Sequence, residues 1–263
     1  MKKLSLLFIL LLASSANAFT LNNTAKLVFT EDEVKVNVAS GCTNIGMTDA
    51  ELLELVGRAV DTFWNKPPTS RLKLRKGSVV NVDAKFHSDS ICTASTNCDP
   101  NPDLAVDSDI LISCNLNVTN FPSSSILGIT IPNNIAGTRI VGSLVLINDK
   151  ADTQFDTKSD DAKVAILAHE IGHAFGLGHS PVQDSLMYYA TVSERKALGR
   201  DDIDGISYLY PKQQPISGCG TVDFSGGKSG GGSDWWSGLF LGFSVIGLAE
   251  IYRKRSKLSN RSC

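Results

Sequence analysis

Residues 169–179 constrain this chain more than any other part of its 263-residue sequence. They read H-E-x-x-H-x-x-G-x-x-H, with Gly176 at the glycine position. Residues four apart lie on nearly the same face of a helix, so His169 and His173 are predicted to face one metal ion. His179 reaches the same ion only if the chain turns, and glycine readily adopts the left-handed backbone that ends a helix. Three imidazoles leave one position of a tetrahedral zinc open, which is typical of a catalytic site.

Glu170 follows the first histidine, close to the predicted metal but not facing it in line. That position suits a general base that takes a proton from a metal-bound water. The alternative for two histidines four apart is a surface patch or a pair of hydrogen-bonded core side chains. The added glycine and third histidine disfavour it, as does the presence of three of the chain's four histidines in this motif. The sequence therefore predicts zinc-dependent hydrolysis.

The residues after the motif resemble the metzincin clan of zinc endopeptidases, which carry a methionine in a tight turn beneath the zinc. Met187 in Ser-Leu-Met-Tyr fits that methionine, and Ser180 resembles the matrixin (matrix-metalloprotease-like) branch, bacterial type. Residues 201–210 are similar to the start of the last matrixin helix, and residues 140–148 to the edge strand that aligns substrate. The resemblance implies zinc ligands His169, His173 and His179, general base Glu170 and turn residue Met187.

The chain departs from vertebrate-type matrixins at two places. Those enzymes bind a second zinc through three further histidines, and here only His87 lies outside the motif. They also carry a proline two positions after the turn methionine, where this chain has Tyr189 directly after Tyr188. The second zinc site is therefore not expected in that form, and the shape of the substrate pocket is expected to differ.

The segment 19–215 is long enough to bury one core as a single domain. Thr48-x-x-Glu51 is a capping box that predicts a helix through about Trp64. The helix with the zinc ligands is predicted to start near 159–160. Strands are predicted at 34–38, 71–75, 79–86 and 110–113. Together with the resemblance, these elements predict an α+β, metzincin-like catalytic domain: a mixed twisted sheet with an active-site helix and a C-terminal helix.

Both ends of the chain predict export. Residues 1–18 have the positive start, apolar segment and A-x-A site of a signal peptide, with an uncleaved membrane anchor as the alternative. Residues 216–234 form a Gly/Ser-rich linker. Residues 235–252 are apolar enough and just long enough to span a bilayer, and the basic residues 253–263 predict a cytoplasmic tail.

This spacer, span and basic tail resemble the Gly-Gly C-terminal sorting signals of Gram-negative bacteria. In those signals, a rhomboid-type intramembrane protease cuts near the glycines, and the alternative is a permanent single-span anchor. The resemblance implies a protein that is exported through the inner membrane of a Gram-negative bacterium and is then secreted or displayed on the cell surface.

Six cysteines suit such an oxidising compartment. Four of them, Cys42, Cys92, Cys98 and Cys114, lie in the globular part and allow three pairings, which the sequence leaves open. Cys92 and Cys98 flank a polar loop that a local disulfide could close. A further alternative is that Cys42 is a free thiol that blocks the zinc.

The net charge of −2 carries no nucleic-acid signal, because the only basic cluster is the C-terminal tail. Six aspartates are candidates for calcium ligands, and the alternative is a solvated acidic loop. These candidates are Asp99, Asp103, Asp107, Asp109, Asp152 and Asp156.

The combined prediction is a zinc endopeptidase whose protein or peptide substrate lies extended along the strand near residues 140–148. One alternative is the same chemistry confined to cell-wall or envelope substrates. Another, from a different class, is a surface binding or adhesion module that retains zinc for structure. Glu170 counts against this second alternative, because a structural zinc site has no use for a base.

Overall fold

Five strands form one mixed sheet in the computed structural model, which describes residues 19–92, 100–190 and 195–212. The strands are β1 (Glu33–Ala39), β2 (Lys73–Val80), β3 (Asp109–Asn115), β4 (Gly128–Ala136) and β5 (Arg139–Asn148). Their order across the sheet is β2-β1-β3-β5-β4. Strands β2, β1, β3 and β5 run parallel to one another, and β4 runs antiparallel to β5. The observed architecture confirms the predicted α+β fold.

In the described ranges, four α-helices accompany the sheet, and the two longest begin where the sequence predicts. The helices are α1 (Asp49–Ala59), α2 (Lys85–Ser88), α3 (Asp160–Ala174) and α4 (Arg200–Leu209). At the start of α1, the Thr48 hydroxyl accepts from the Glu51 amide at 3.2 Å, while the Glu51 carboxylate accepts from the Thr48 amide at 2.8 Å. A π turn, Val60–Trp64, continues α1 to the predicted end. Ser159 caps α3.

The two faces of the sheet bury two separate apolar clusters, because side chains alternate along each strand. On one face, strand residues such as Val36 and Val145 pack with Val56 of α1 and Leu167 of α3. On the other face, Leu144 and neighbouring strand residues pack under the loops between β2 and β4. From Ala162 to Ala174, every residue of α3 is buried. The helix that carries the metal-binding motif is therefore the central helix of the domain.

Strand β5 forms where predicted, but the prediction that residues 140–148 are the substrate-aligning edge strand is wrong. β5 lies inside the sheet, between β3 and β4, and the edge on this side is β4. The strand is apolar over most of its length, and every residue from Val145 to Asn148 is fully buried. Such a strand is favoured inside a sheet that is covered on both faces.

The two strands predicted at 71–75 and 79–86 are also wrong in part. A single strand, β2, covers Lys73–Val80, and the chain then forms the short helix α2. Asp83 starts that turn, since its carboxylate accepts from the Lys85 amide at 2.9 Å. An aspartate that bonds to the backbone two residues ahead favours a turn over a continuing strand.

Cys42 and Cys114 form a disulfide that ties the loop after β1 to β3. Cys42 is therefore not a free thiol facing the zinc site. Cys92 is disulfide-bonded as well, whereas Cys98 lies outside the described residues, so the local 92–98 link stays a prediction.

The predicted signal peptide, linker, membrane span and basic tail lie outside the described residues. Within the described ranges, no helix is both long and apolar enough to cross a membrane.

Candidate metal centre and active site

Helix α3 and the turn after it bring the three motif histidines together as predicted. The Nε2 atoms of His169 and His173, one helical turn apart, are 3.1 Å from each other. The backbone then turns at Gly176, whose φ is 116°, and this returns His179 to the same place. One potential ligand atom from each histidine lies within 4.8 Å of the others. A Cβ at position 176 would also lie 2.6 Å from the Leu27 carbonyl oxygen, so glycine is needed for both its φ and its size.

Backbone carbonyls orient the two buried imidazoles for metal binding. His169 Nδ1 lies 2.7 Å from the Leu186 oxygen, and His173 Nδ1 lies 2.8 Å from the Leu177 oxygen. A carbonyl only accepts, so each Nδ1 carries the proton and each Nε2 keeps its lone pair. Burial lowers the pKa of both side chains, which keeps them neutral. Two lone pairs 3.1 Å apart with no proton between them suit a shared cation, so these residues fit the zinc that the motif implies.

The first described residues pair with the loop that holds His179. The Gly178 amide donates to the Thr20 oxygen at 2.8 Å, and the Thr20 hydroxyl donates to the His179 oxygen at 2.5 Å. The Asn22 amide donates to the Gly176 oxygen at 3.0 Å. No local sequence pattern predicts this pairing, because it joins residues more than 150 positions apart.

Met187 lies in a turn directly beneath the histidines, as the resemblance implies. Its carbonyl accepts from the Ser180 amide at 2.7 Å, and its side chain is buried. A Cβ on Gly172 would press against the Met187 sulfur and would lie 2.8 Å from Trp64 Cζ2. The turn methionine and the metal-bearing helix are therefore packed so closely that only glycine fits between them.

Asp202, on α4, holds this turn in place. Its carboxylate accepts from the amides of Leu186 at 2.6 Å, Met187 at 3.0 Å and Gly199 at 2.8 Å, and also from the Ser185 hydroxyl. The helix predicted from residues 201–210 is present, but the sequence did not reveal this role. The last helix thus fixes the floor of the metal site through one side chain.

Glu170 is buried between α3 and the edge strand β4. The Thr130 hydroxyl donates to its Oε2 at 2.6 Å, and a Cβ on Gly128 would come within 2.7 Å of its carboxyl group. Burial raises the pKa of Glu170 to about 7, although the Thr130 hydroxyl and nearby His179 favour the charged form. A carboxyl group with a pKa near neutrality can both accept and return a proton. Sequence analysis found Glu170 but not Thr130 or Gly128.

A groove of about 980 Å³ runs along β4 in front of Glu170, His173 and His179. Its walls come from residues 20–23, from β4, and from residues 91–92 and 100–104. The lining side chains are largely apolar or uncharged. They include Asn22, Ile91, Leu104, Ile129, Ile131, Asn133 and Ile135.

The candidate calcium ligands are not gathered at one point in the described chain. The Asp103 carboxylate pairs with Lys85 at 2.5 Å, and that of Asp109 accepts from the Lys35 amide at 3.0 Å. Asp99 lies outside the described residues. In the described ranges, the three motif histidines are the only cluster of three potential ligands. Calcium binding therefore stays a prediction.

His87, the one histidine outside the motif, lies apart from this centre. Its Nδ1 lies 2.8 Å from the Cys114 oxygen, beside the disulfide. Tyr189, which stands where vertebrate-type matrixins carry a proline, is 65% exposed, and its ring centre lies 4.4 Å from that of Tyr188.

Comparison with known proteins places the similarity on the same region. A family model described as Matrixin matches residues 75–211, slightly more than half of the chain. Metalloendoproteinase 5-MMP of Arabidopsis thaliana is 38% identical over 86 residues, which are 31% of this chain and 24% of the plant protein. Matrilysin of Rattus norvegicus is 41% identical over 76 residues, 25% of this chain and 28% of the rat protein. Matrix metalloproteinase-9 of Canis lupus familiaris is 46% identical over 52 residues, 19% of this chain and 7% of that protein. The matched segments thus span less than a third of these relatives.

Proposed function

The chain belongs to the matrixin family, and from that premise we propose that it is a zinc-dependent endopeptidase with Glu170 as its general base. Matrixins are zinc metalloendopeptidases. The observation that carries the proposal is the position of Glu170, which is buried beside three converging histidines and held by Thr130 of the edge strand β4. A site that held zinc only for structure would gain nothing from a carboxyl group buried at this cost.

His169, His173 and His179 would hold the metal. When bound, zinc supplies a Lewis acid that polarises the scissile carbonyl and acidifies water. Glu170 accepts the proton of the attacking water and later delivers it to the leaving amine. The carbonyls of Leu186 and Leu177 keep the imidazoles of His169 and His173 in the tautomer that presents Nε2.

The substrate is expected to lie extended along β4, adding a strand to this edge of the sheet through main-chain hydrogen bonds. Three observations support this placement: β4 is the edge strand, its Thr130 contacts Glu170, and the groove runs along it. The apolar and uncharged lining favours peptide segments with apolar side chains next to the cleaved bond.

We further propose that the protein acts outside the cytoplasm, in the envelope, at the surface or in the medium of a Gram-negative bacterium. The disulfides at Cys42–Cys114 and at Cys92 support an oxidising compartment. Export by the segment 1–18, anchoring by the segment 235–252 and rhomboid-type cleavage near the glycines belong to this proposal. Mass spectrometry of the exported protein tests it: peptides from beyond residue 235 would contradict cleavage, and peptides from before residue 19 would contradict signal removal.

The test of the enzymatic function compares the zinc-loaded full chain with its Glu170→Ala and Glu170→Gln variants on a peptide library. Both variants are expected to keep zinc, because the three ligands are unchanged, and to lose about 100- to 10,000-fold in turnover. Removing zinc with a chelator should abolish cleavage, and adding it back should restore cleavage.

The proposal is wrong if Glu170→Ala cleaves peptides as fast as the parent, or if activity survives zinc removal. A parent protein that binds zinc, cleaves no peptide and merely unfolds at lower temperature without the metal would favour the binding or adhesion module.

A further inference from the structure

We propose that Thr130 is a positioning residue for this site: its hydroxyl holds the Glu170 carboxylate in the orientation that proton transfer requires. The inference rests on the proposed peptidase function, which needs Glu170 as its base. It adds a second residue, on a different element of the fold and 40 positions away in sequence.

The hydrogen bond between the two side chains has a fixed direction. Thr130 Oγ1 lies 2.6 Å from Glu170 Oε2, and the ionised carboxylate can only accept, so the hydroxyl donates. In the described part of the chain, no other hydrogen bond reaches this carboxylate. One oxygen is therefore held by Thr130, and Oε1 is left for the proton that is moved.

Gly128 provides the space for this contact. It lies two residues before Thr130 on β4, so both positions face the same side of the strand. A Cβ at Gly128 would lie 2.7 Å from Glu170 Cγ, Cδ and Oε1. The carboxyl group thus lies over a glycine and against a threonine of one strand, which restricts it more than a hydrogen bond alone would.

The strand that holds Glu170 is also the strand along which the substrate is expected to lie. β4 is the edge of the sheet, and Gly128 and Thr130 line the groove together with Glu170. Because one short strand would position both the peptide and the base, the distance between the carboxylate and the scissile bond would be set through the β4 backbone. A residue with this role affects turnover more than substrate affinity.

The experiment uses three variants of the zinc-loaded full chain. Thr130→Val keeps the shape and removes the hydroxyl, whereas Thr130→Ser keeps the hydroxyl. Thr138→Val is the matched control, because Thr138 is an exposed threonine in the turn between β4 and β5. Thr130→Val is expected to lower kcat about tenfold, with KM changed less than about twofold. Thr130→Ser is expected to stay within about threefold of the parent, and Thr138→Val to match it.

Two further measurements separate positioning from a structural role. Zinc affinity should not change in Thr130→Val, because the three ligands and the carbonyls that orient His169 and His173 are unchanged. The melting temperature should fall by only a few degrees, because the valine removes one hydrogen bond to a buried carboxylate. Equal kcat in Thr130→Val and the parent, equal losses in the valine and serine variants, or a loss of zinc affinity that parallels the loss of kcat would each overturn the proposal.

Binding of acetohydroxamate gives a readout that needs no turnover. This zinc chelator shares the proton of its hydroxyl group with a neighbouring carboxylate, so its affinity reports how well Glu170 is placed. We expect binding several-fold weaker in Thr130→Val and unchanged in Thr130→Ser. If the parent cleaves no peptide yet shows this pattern, the peptidase function fails and the positioning role stands. Equal affinity in all variants overturns the positioning role.

Discussion

The Cys42–Cys114 disulfide gives the most quantitative prediction for this protein. The two cysteines are 72 residues apart in sequence, and the bond fixes the loop after β1 to β3. Replacing both with alanine removes the link from the unfolded chain. For a loop of this length, the loss of chain entropy is about 15 cal/mol/K, or about 4.4 kcal/mol at 25 °C. This is a large part of the roughly 5–15 kcal/mol by which domains are stable.

The assay is equilibrium unfolding in urea, followed by circular dichroism at pH 7. The Cys42→Ala/Cys114→Ala variant should lose about 4 kcal/mol of unfolding free energy and unfold with a steeper dependence on urea, because its unfolded state is more expanded. Cys42→Ala alone should lose nearly as much, since the link is absent there too.

Adding a reductant to the double variant measures the separate contribution of the disulfide at Cys92. A double variant within about 1 kcal/mol of the oxidised parent would refute the chain-entropy reasoning. Zinc affinity should not change while the variant is folded, because neither cysteine belongs to the histidine cluster.

Two further predictions concern the metal site itself. Gly172→Ala should destabilise the protein by about 1–3 kcal/mol and weaken zinc binding, because the added methyl group would clash with Met187 and Trp64. Thermal unfolding and a zinc titration measure the two effects. An unchanged melting temperature would contradict the prediction. The metal-free protein should lose stability as the pH falls below the ordinary histidine pKa of 6.5, since burial lowers the pKa of His169 and His173 and the unfolded chain then binds more protons. Each histidine contributes up to about 1.4 kcal/mol of unfolding free energy per pH unit, so the stability of His169→Gln should depend less steeply on pH. An unfolding free energy of the metal-free parent that does not change between about pH 7 and 5 would count against the reasoning.

The metal ligands were predictable because their spacing is local. The helical period places His169 beside His173, and the turn at Gly176 follows from the one residue that tolerates its φ of 116°. The capping box at Thr48 and the helix start near residues 159–160 are local signals too, and both are confirmed. Elements whose cause lies within a few residues could therefore be derived from the sequence.

The sheet edge was not predictable in the same way. The segment of β4 contains Pro132, Asn133 and Asn134, which argue against a strand, and its pairing with β5 shifts register there. The apolar run of β5 shows only that it is buried, not which strand lies beyond it. Thr130 and Asp202 act on residues 40 and 15–17 positions away, and no local pattern announces such contacts.

The site draws on both ends of the catalytic domain, and this has a consequence for biosynthesis. Residues 20–22 pair with the loop of His179, and Asp202, near the end of the domain, holds the turn of Met187. A chain still emerging from the ribosome therefore lacks the contacts that hold the turn of Met187 until α4 has been synthesised. The metal site is thus complete only when synthesis of residues 19–212 is almost over, and any activity that depends on it can start no earlier.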